Sequence, residues 1–363
     1  MTTAAPGTLP RPHSPAIISP VIDLLCVGGL SILLFVPLLV FGGTNLAVFS
    51  PAVQGWIGVF LNMPHFMASY RMIYRSRDTI RAHRWAAIYV PILLIAYMAF
   101  AVAVSDRHDE WLSALFIVQG VYLAWHYTGQ AWGMVVTFTR IEGAPLAPIE
   151  RTLIQWGLRT LTLWQVVWFL HWRLWNGSTV SLFEIVTVAM AIPLAMGAIG
   201  FALYRGRTGR NPPLKSLVAW ISVFVWYGVL FRDPNAQFLV QNAHALQYLI
   251  FPVRVEINRT TRAAPKRGRL LTHMAAYGAL LLAASFVWDR YLPGGAMTLV
   301  AHWLGQGPGV YAGLAVLTFL NIHHFFTDGV AWKLRNPEVR EDLFGHLEGG
   351  KAAGRQGGKL ARS

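Results

Sequence analysis

Residues 85–104 read WAAIYVPILLIAYMAFAVAV, twenty residues without one charged side chain. A helix of about 20 residues rising 1.5 Å each spans the roughly 30 Å hydrocarbon core of a bilayer. Within lipid the backbone amides must bond inside their own segment, so such a run commits the surrounding chain to helices. The same reading recurs at 47–69 and 17–41 toward the N-terminus. Toward the C-terminus it recurs at 111–138, 152–171, 179–203, 217–231, 236–253, 270–288 and 309–332. The expected fold is all-α, a polytopic transmembrane helix bundle of about ten spans in the inner (cytoplasmic) membrane. Residues 293–306 are expected to lie at the interface or to re-enter it. Residues 1–15 read as a polar N-terminal tail without a cleavable-signal pattern. Residues 16–335 read as a single helical domain, and 336–363 as a basic tail expected to be disordered.

Composition agrees. The chain has 363 residues, 55% hydrophobic and 13% charged, against about 25% charged in soluble domains. So few charges cannot coat a water-soluble globule of this size, which excludes an ordinary soluble enzyme and a disordered chain. The one cysteine, Cys26, excludes an internal disulfide. The net charge of +14 does not call for nucleic acid, because membrane proteins gather Lys and Arg in cytoplasmic loops. Of the 30 basic residues, 25 fall on one side if the ten spans alternate, including clusters at 71–84, 205–215 and 254–269. This asymmetry places both termini in the cytoplasm.

Against this apolar ground, four spans carry related polar inserts. They read Pro64-His65-Phe66-Met67-Ala68-Ser69-Tyr70-Arg71, Trp125-His126-Tyr127-Thr128-Gly129-Gln130, Asn242-Ala243-His244-Ala245-Leu246-Gln247-Tyr248 and Asn321-Ile322-His323-His324-Phe325-Phe326-Thr327-Asp328. A charged group at the centre of a membrane helix costs about 2.5–3.5 kcal/mol on insertion scales, so polar residues there mark function by default. His65 and Ser69, His126 and Gln130, and His324 and Asp328 are four apart; His244 and Gln247 are three apart. Each pair shares a helix face. The histidines stand 6, 14, 10 and 9 residues before Arg71, Arg140, Arg254 and Lys333, roughly 9–21 Å from the cytoplasmic surface. Helices with polar stripes at one depth are expected to pack together.

Neutral imidazole is the commonest metal ligand. Histidines with a carboxylate suit iron, zinc, copper or manganese, and iron is the first expectation. The candidate ligands are His65, His126, His244, His323, His324 and Asp328. His323 and His324 lie about 100° apart on a helix, and the spacing to Asp328 favours His324. Asp328 doubles as an acid–base candidate. Gln130 and Gln247, with Ser69, Asn242 and Asn321, are expected to orient the imidazoles. Arg159, inside the fifth span, and Trp125, beside His126, are candidate substrate contacts.

Three functions fit these residues. One is a metal-dependent oxygenase or desaturase acting on a lipid or isoprenoid chain dissolved in the bilayer, with an external electron donor. The second is a haem-binding electron carrier with bis-histidine ligation. The third is a transporter relaying protons or cations through the histidines. Pro64-His65 and Trp125-His126 resemble motifs of the Brp/Blh-type carotene-cleaving membrane oxygenases. That resemblance implies iron held by membrane histidines. Ser69 stands where that family carries an acidic residue. The chain has neither the H-x3-H nor the H-x2-H-H box of membrane desaturases and hydroxylases.

Overall fold

The computed structural model describes residues 15–41, 50–174, 177–263, 267–332 and 337–347, and the regular elements among them are all helices. The tails expected at 1–14 and 348–363 lie outside the described residues. In chain order the helices are α1 (Pro20–Phe41), α2 (51–74), α3 (Arg77–Ala82), α4 (Trp85–Ala103), α5 (Glu110–Glu142), α6 (Pro148–Leu174) and α7 (Gly177–Ala189). There follow α8 (Ala191–Thr208), α9 (Leu214–Arg232), α10 (Gln237–Ala263), α11 (267–304), α12 (Gln306–Ala331) and α13 (337–347).

Six stretches are long and apolar enough to cross a membrane: α1, α4, Ser181–Thr208 across α7 and α8, α9, α11 and α12. Their outer faces carry Val40, Leu33, Ile185, Val188 and Ile192, all more than 60% exposed. Side chains of that kind, unpaired and pointing away from the protein, suit lipid contact. Three of the helices that carry histidine inserts, α2, α5 and α10, are not among the six. The same polar residues that build the interior of the bundle dilute the apolar character of these helices.

Local chemistry sets the helix starts and irregularities. Ser19, Ser50 and Ser76 cap α1, α2 and α3, each accepting from a backbone N–H three residues on, and Pro20 and Pro51 take the first helical position. π-helical turns occur at Gly58–Asn62, Trp85–Tyr89 and Val287–Tyr291, each ending two residues before a proline: Pro64, Pro91 and Pro293. A proline cannot donate to the carbonyl four residues back and its ring presses on it, and a wider turn accommodates both.

Two sequence expectations change. Residues 293–306 are not a separate interfacial piece. α11 continues through them to Leu304, the chain reverses at Gly305 (φ 101°), and α12 packs back along the C-terminal half of α11. Part of the expected C-terminal tail is also ordered, since 337–347 form α13. Its Asp342 side chain accepts from Arg259 and Arg262 at the end of α10, and Asn258 Nδ2 donates to the Asp342 carbonyl at 2.8 Å. Acidic residues interleaved with the basic tail find fixed cations on α10, which sequence spacing does not reveal.

A dry aromatic wall backs the bundle. Trp164, Tyr227, Trp226 and Tyr127 are fully buried. Their polar tips are anchored where they can be: Trp226 Nε1 donates to Ser31 at 2.9 Å and Tyr227 OH to Gln165 at 2.7 Å. Rings this large with satisfied polar ends fix α5, α6 and α9 firmly against one another.

Candidate metal centre

α12 packs against both α2 and α5, and α10 packs against α2, so the four insert-bearing helices enclose one point. Each brings a single imidazole inward: His65 from α2, His126 from α5, His244 from α10 and His324 from α12. His65, His244 and His324 are buried and His126 is partly buried. Their ligand atoms lie within 4.8 Å of one another.

The rings form a closed circuit, with centroid separations of 4.5 Å (His65–His324), 5.0 Å (His324–His126), 4.7 Å (His126–His244) and 5.3 Å (His244–His65). His65 Nε2 stands 3.1 Å from His324 Nε2, and His126 Nε2 stands 3.0 Å from His244 Nε2. His65 Nδ1 lies 2.5 Å from the Asn62 carbonyl. A carbonyl only accepts, so this contact puts the proton on Nδ1 and leaves the Nε2 lone pair facing the centre.

One turn further along each helix lies a second polar layer. Asp328 Oδ2 is 3.3 Å from His324 Nε2 and 3.7 Å from His126 Nε2. Its Oδ1 accepts from Ser69 Oγ at 2.7 Å, and Ser69 Oγ is also 2.6 Å from Tyr248 OH. The polar layer thus consists of the residues four positions after His65, His244 and His324, joined through one serine hydroxyl.

This donor set fits a transition-metal ion. Metal–nitrogen bonds near 2 Å put adjacent ligands about 3 Å apart and opposite ligands about 4 Å apart, comparable to the spread of these nitrogens. Four imidazoles and one carboxylate favour iron, zinc, copper or manganese over calcium or magnesium, which take oxygen. Asp328 is buried, and among the described residues its ion-pair partners are imidazoles alone. A buried carboxylate flanked by neutral rings is short of positive charge, which a cation at the centre would supply. A small pocket of about 10 Å³ touches all four rings, with Phe66, Leu123, Tyr127 and Asn321 also in its wall, room for about one water.

A larger cavity of about 490 Å³ adjoins the centre and reaches it through His126, Asp328 and Tyr248. The rest of its wall is mainly apolar and aromatic, with Phe251, Phe325 and Trp332 prominent. The volume lies within the ordinary range of small-molecule pockets.

No protein-family model, no curated protein and no solved structure matches this chain. The assignment of the centre therefore stands on its geometry.

The structure sorts the expected residues. His65, His126, His244, His324 and Asp328 come together as their spacing predicts. His323 does not join them: its Nε2 is 2.9 Å from the Ala86 carbonyl on α4, because consecutive helical residues point about 100° apart. Gln130 and Gln247 do not orient the imidazoles either. Gln130 Nε2 donates to the His244 carbonyl (3.0 Å) and to Gln247 Oε1 (3.2 Å). Gln247 Nε2 donates to the Val27 carbonyl at 2.6 Å, within a π-helical turn of α1. Both amides lock backbone to backbone behind the site. Asn242 and Asn321 bond carbonyls of their own helices, and Ser69 holds Asp328 rather than a ring. Arg159 and Trp125 line the cavity. Tyr248, the last residue of the third insert, is the one to which the sequence reading gave no role. It lies four positions after His244, the same spacing that marked Ser69, Gln130 and Asp328.

Proposed function

We propose that the protein is an integral membrane, metal-dependent oxidoreductase, an oxygenase or desaturase that uses non-haem iron on a lipid or isoprenoid chain. One observation carries this reading: four imidazoles and a carboxylate converge inside a helical bundle, on the wall of a mainly apolar cavity. Bound iron supplies the redox chemistry. The protein's own groups hold the ligands at fixed depth, exclude water and seat the chain against the His126–Asp328 wall. Asp328, joined through Ser69 to Tyr248, is placed to take or return a proton beside the centre. Electrons come from an external donor. The bundle takes about ten spans in the inner membrane with both termini in the cytoplasm, a topology supported by the one-sided distribution of basic residues.

The tight contact of the four rings favours a single ion over haem, because bis-histidine haem ligation needs a macrocycle between the imidazoles. Elemental analysis and an absorption spectrum of the purified protein test the reading. About one iron per chain without a Soret band is the expected result. A Soret band would redirect the assignment to a haem carrier. Neither metal nor haem, in a protein that stays folded when His126→Ala is introduced, would redirect it to a transporter.

A further inference from the structure

The cavity that reaches the histidine centre also holds a cation, Arg159, with which no carboxylate forms an ion pair among the described residues. Arg159 projects from α6, half-buried, and its guanidinium lies over the Trp125 ring with Cζ 3.4 Å from the ring centroid. Nη1 donates to the Trp125 carbonyl at 2.9 Å and lies 3.4 Å from Thr128 Oγ1. Nε and Nη2 find no acceptor, and no carboxylate pairs with Arg159, among the described residues. The seat is shaped for this group. A Cβ at Gly129 would stand 3.3 Å from both terminal nitrogens, closer than side-chain carbons normally approach. A guanidinium held within a membrane bundle without an anion is costly, so its retention in a cavity wall points to a ligand that brings the anion.

We propose that the cavity binds a single-chain amphiphile with a carboxylate head. The carboxylate pairs with the open Nε and Nη2 edge of Arg159, and the apolar chain lies along the aromatic wall toward His126 and Asp328. The fork of two N–H groups matches the two carboxylate oxygens, and one guanidinium balances one carboxylate. The proposal rests on the substrate reading of the cavity given above and narrows it to acid-headed chains.

The full-length protein in phosphatidylcholine nanodiscs is titrated with oleate, with methyl oleate and with phosphatidylglycerol. Native mass spectrometry reads binding, and the iron content of each sample is measured. Methyl oleate keeps the chain and removes the charge; phosphatidylglycerol offers a phosphate on two chains. Oleate is expected to bind at least about tenfold more tightly than either, the size of effect expected for a lost charge-assisted pair. Arg159→Gln is expected to remove that preference. Gly129→Val, which keeps the arginine but fills its seat, is expected to do the same, so a folding defect in one variant leaves the other as a test. Equal binding of oleate and its ester, indifference to both substitutions, or Arg159-dependent binding of phosphatidylglycerol in place of oleate would overturn the proposal. The metal reading fails separately: a protein that holds oleate through Arg159 yet carries no metal breaks that reading alone. Iron-loaded protein without preference for the acid breaks only this one.

Discussion

The histidine centre and the collar around α13 are both built from polar residues in a mostly apolar chain, and they are built by opposite means. The centre uses imidazole rings and one carboxylate, mostly buried within the bundle. The collar uses full charges. Asp342 is held by Arg259 and Arg262, with Arg75 Nη1 3.5 Å from its carboxylate; Arg75 also meets Glu338 at 2.6 Å and Arg262 meets Glu341 at 2.7 Å. His346 of the same helix reaches the Ala16 carbonyl at 2.9 Å. The difference follows from dielectric. Charged pairs are tolerable where water screens and solvates their edges, and costly in the dry interior unless fully compensated. A dry site therefore selects groups that are neutral by themselves and gain charge compensation from an ion. The collar still serves the centre, because Leu343 of α13 closes part of the wall of the cavity.

The contrast can be broken in several ways. The largest effect is expected from His126→Ala or His244→Ala, which should strip most of any bound metal while the helical circular dichroism spectrum is unchanged; retention of stoichiometric metal in both would sink the shared centre. Ser69→Ala removes the hydroxyl joining Asp328 to Tyr248 and is expected to weaken metal binding by about 10–100-fold, the usual scale for groups that support ligands. Asp342→Asn should leave metal content intact and lower stability by about 1–3 kcal/mol, because three arginines lose a shared partner. In the parent protein, raising salt toward 1 M should weaken the collar without releasing metal, and a matching loss of metal would erase the distinction between the two regions.

A smaller effect concerns the pair of buried Glu150 and exposed Arg207, at the start of α6 and the end of α8. Arg207 Nε lies 2.6 Å from the Glu150 carboxylate and holds it below the usual glutamate range. A carboxylate with a depressed pKa in the folded state stabilises the protein above its unfolded pKa, and that contribution is lost as pH falls through the depressed value. Glu150→Gln should therefore flatten the acid limb of the stability profile and leave stability near pH 9 little dependent on pH. The smallest change is expected from His323→Asn. That side chain bonds the Ala86 carbonyl rather than the centre, and metal per chain should stay at the parent value.

Much of this architecture was legible in single stretches of sequence. The run at 85–104 marks a helix long and apolar enough to cross a membrane, because backbone hydrogen bonding in lipid permits little else. The four inserts mark their helices as inward-facing, and the four-residue spacing of His324 and Asp328 identifies which neighbour in the His323–His324 pair turns inward. Spacing works here because a helix is a rigid ruler: residues one turn apart share a face whatever surrounds them.

The destinations of side chains across helices were beyond that ruler. Gln130 and Gln247 have the same offsets as true supports, yet they bind carbonyls of α10 and α1, since an amide takes whichever acceptor the packing places nearest. Tyr248 joins Ser69 and Asp328 only because α2, α10 and α12 meet at one level. Whether Asp342 belongs to a loose tail or a docked helix depends on Arg259 and Arg262, eighty residues away. The sequence alone determined helix, apolar length and polar stripe, which are properties of one segment in one solvent. The tertiary structure alone decided the circuit of four rings, the unpaired guanidinium of Arg159 and the closing of the cavity by α13, because each depends on distances between segments that local periodicity does not contain.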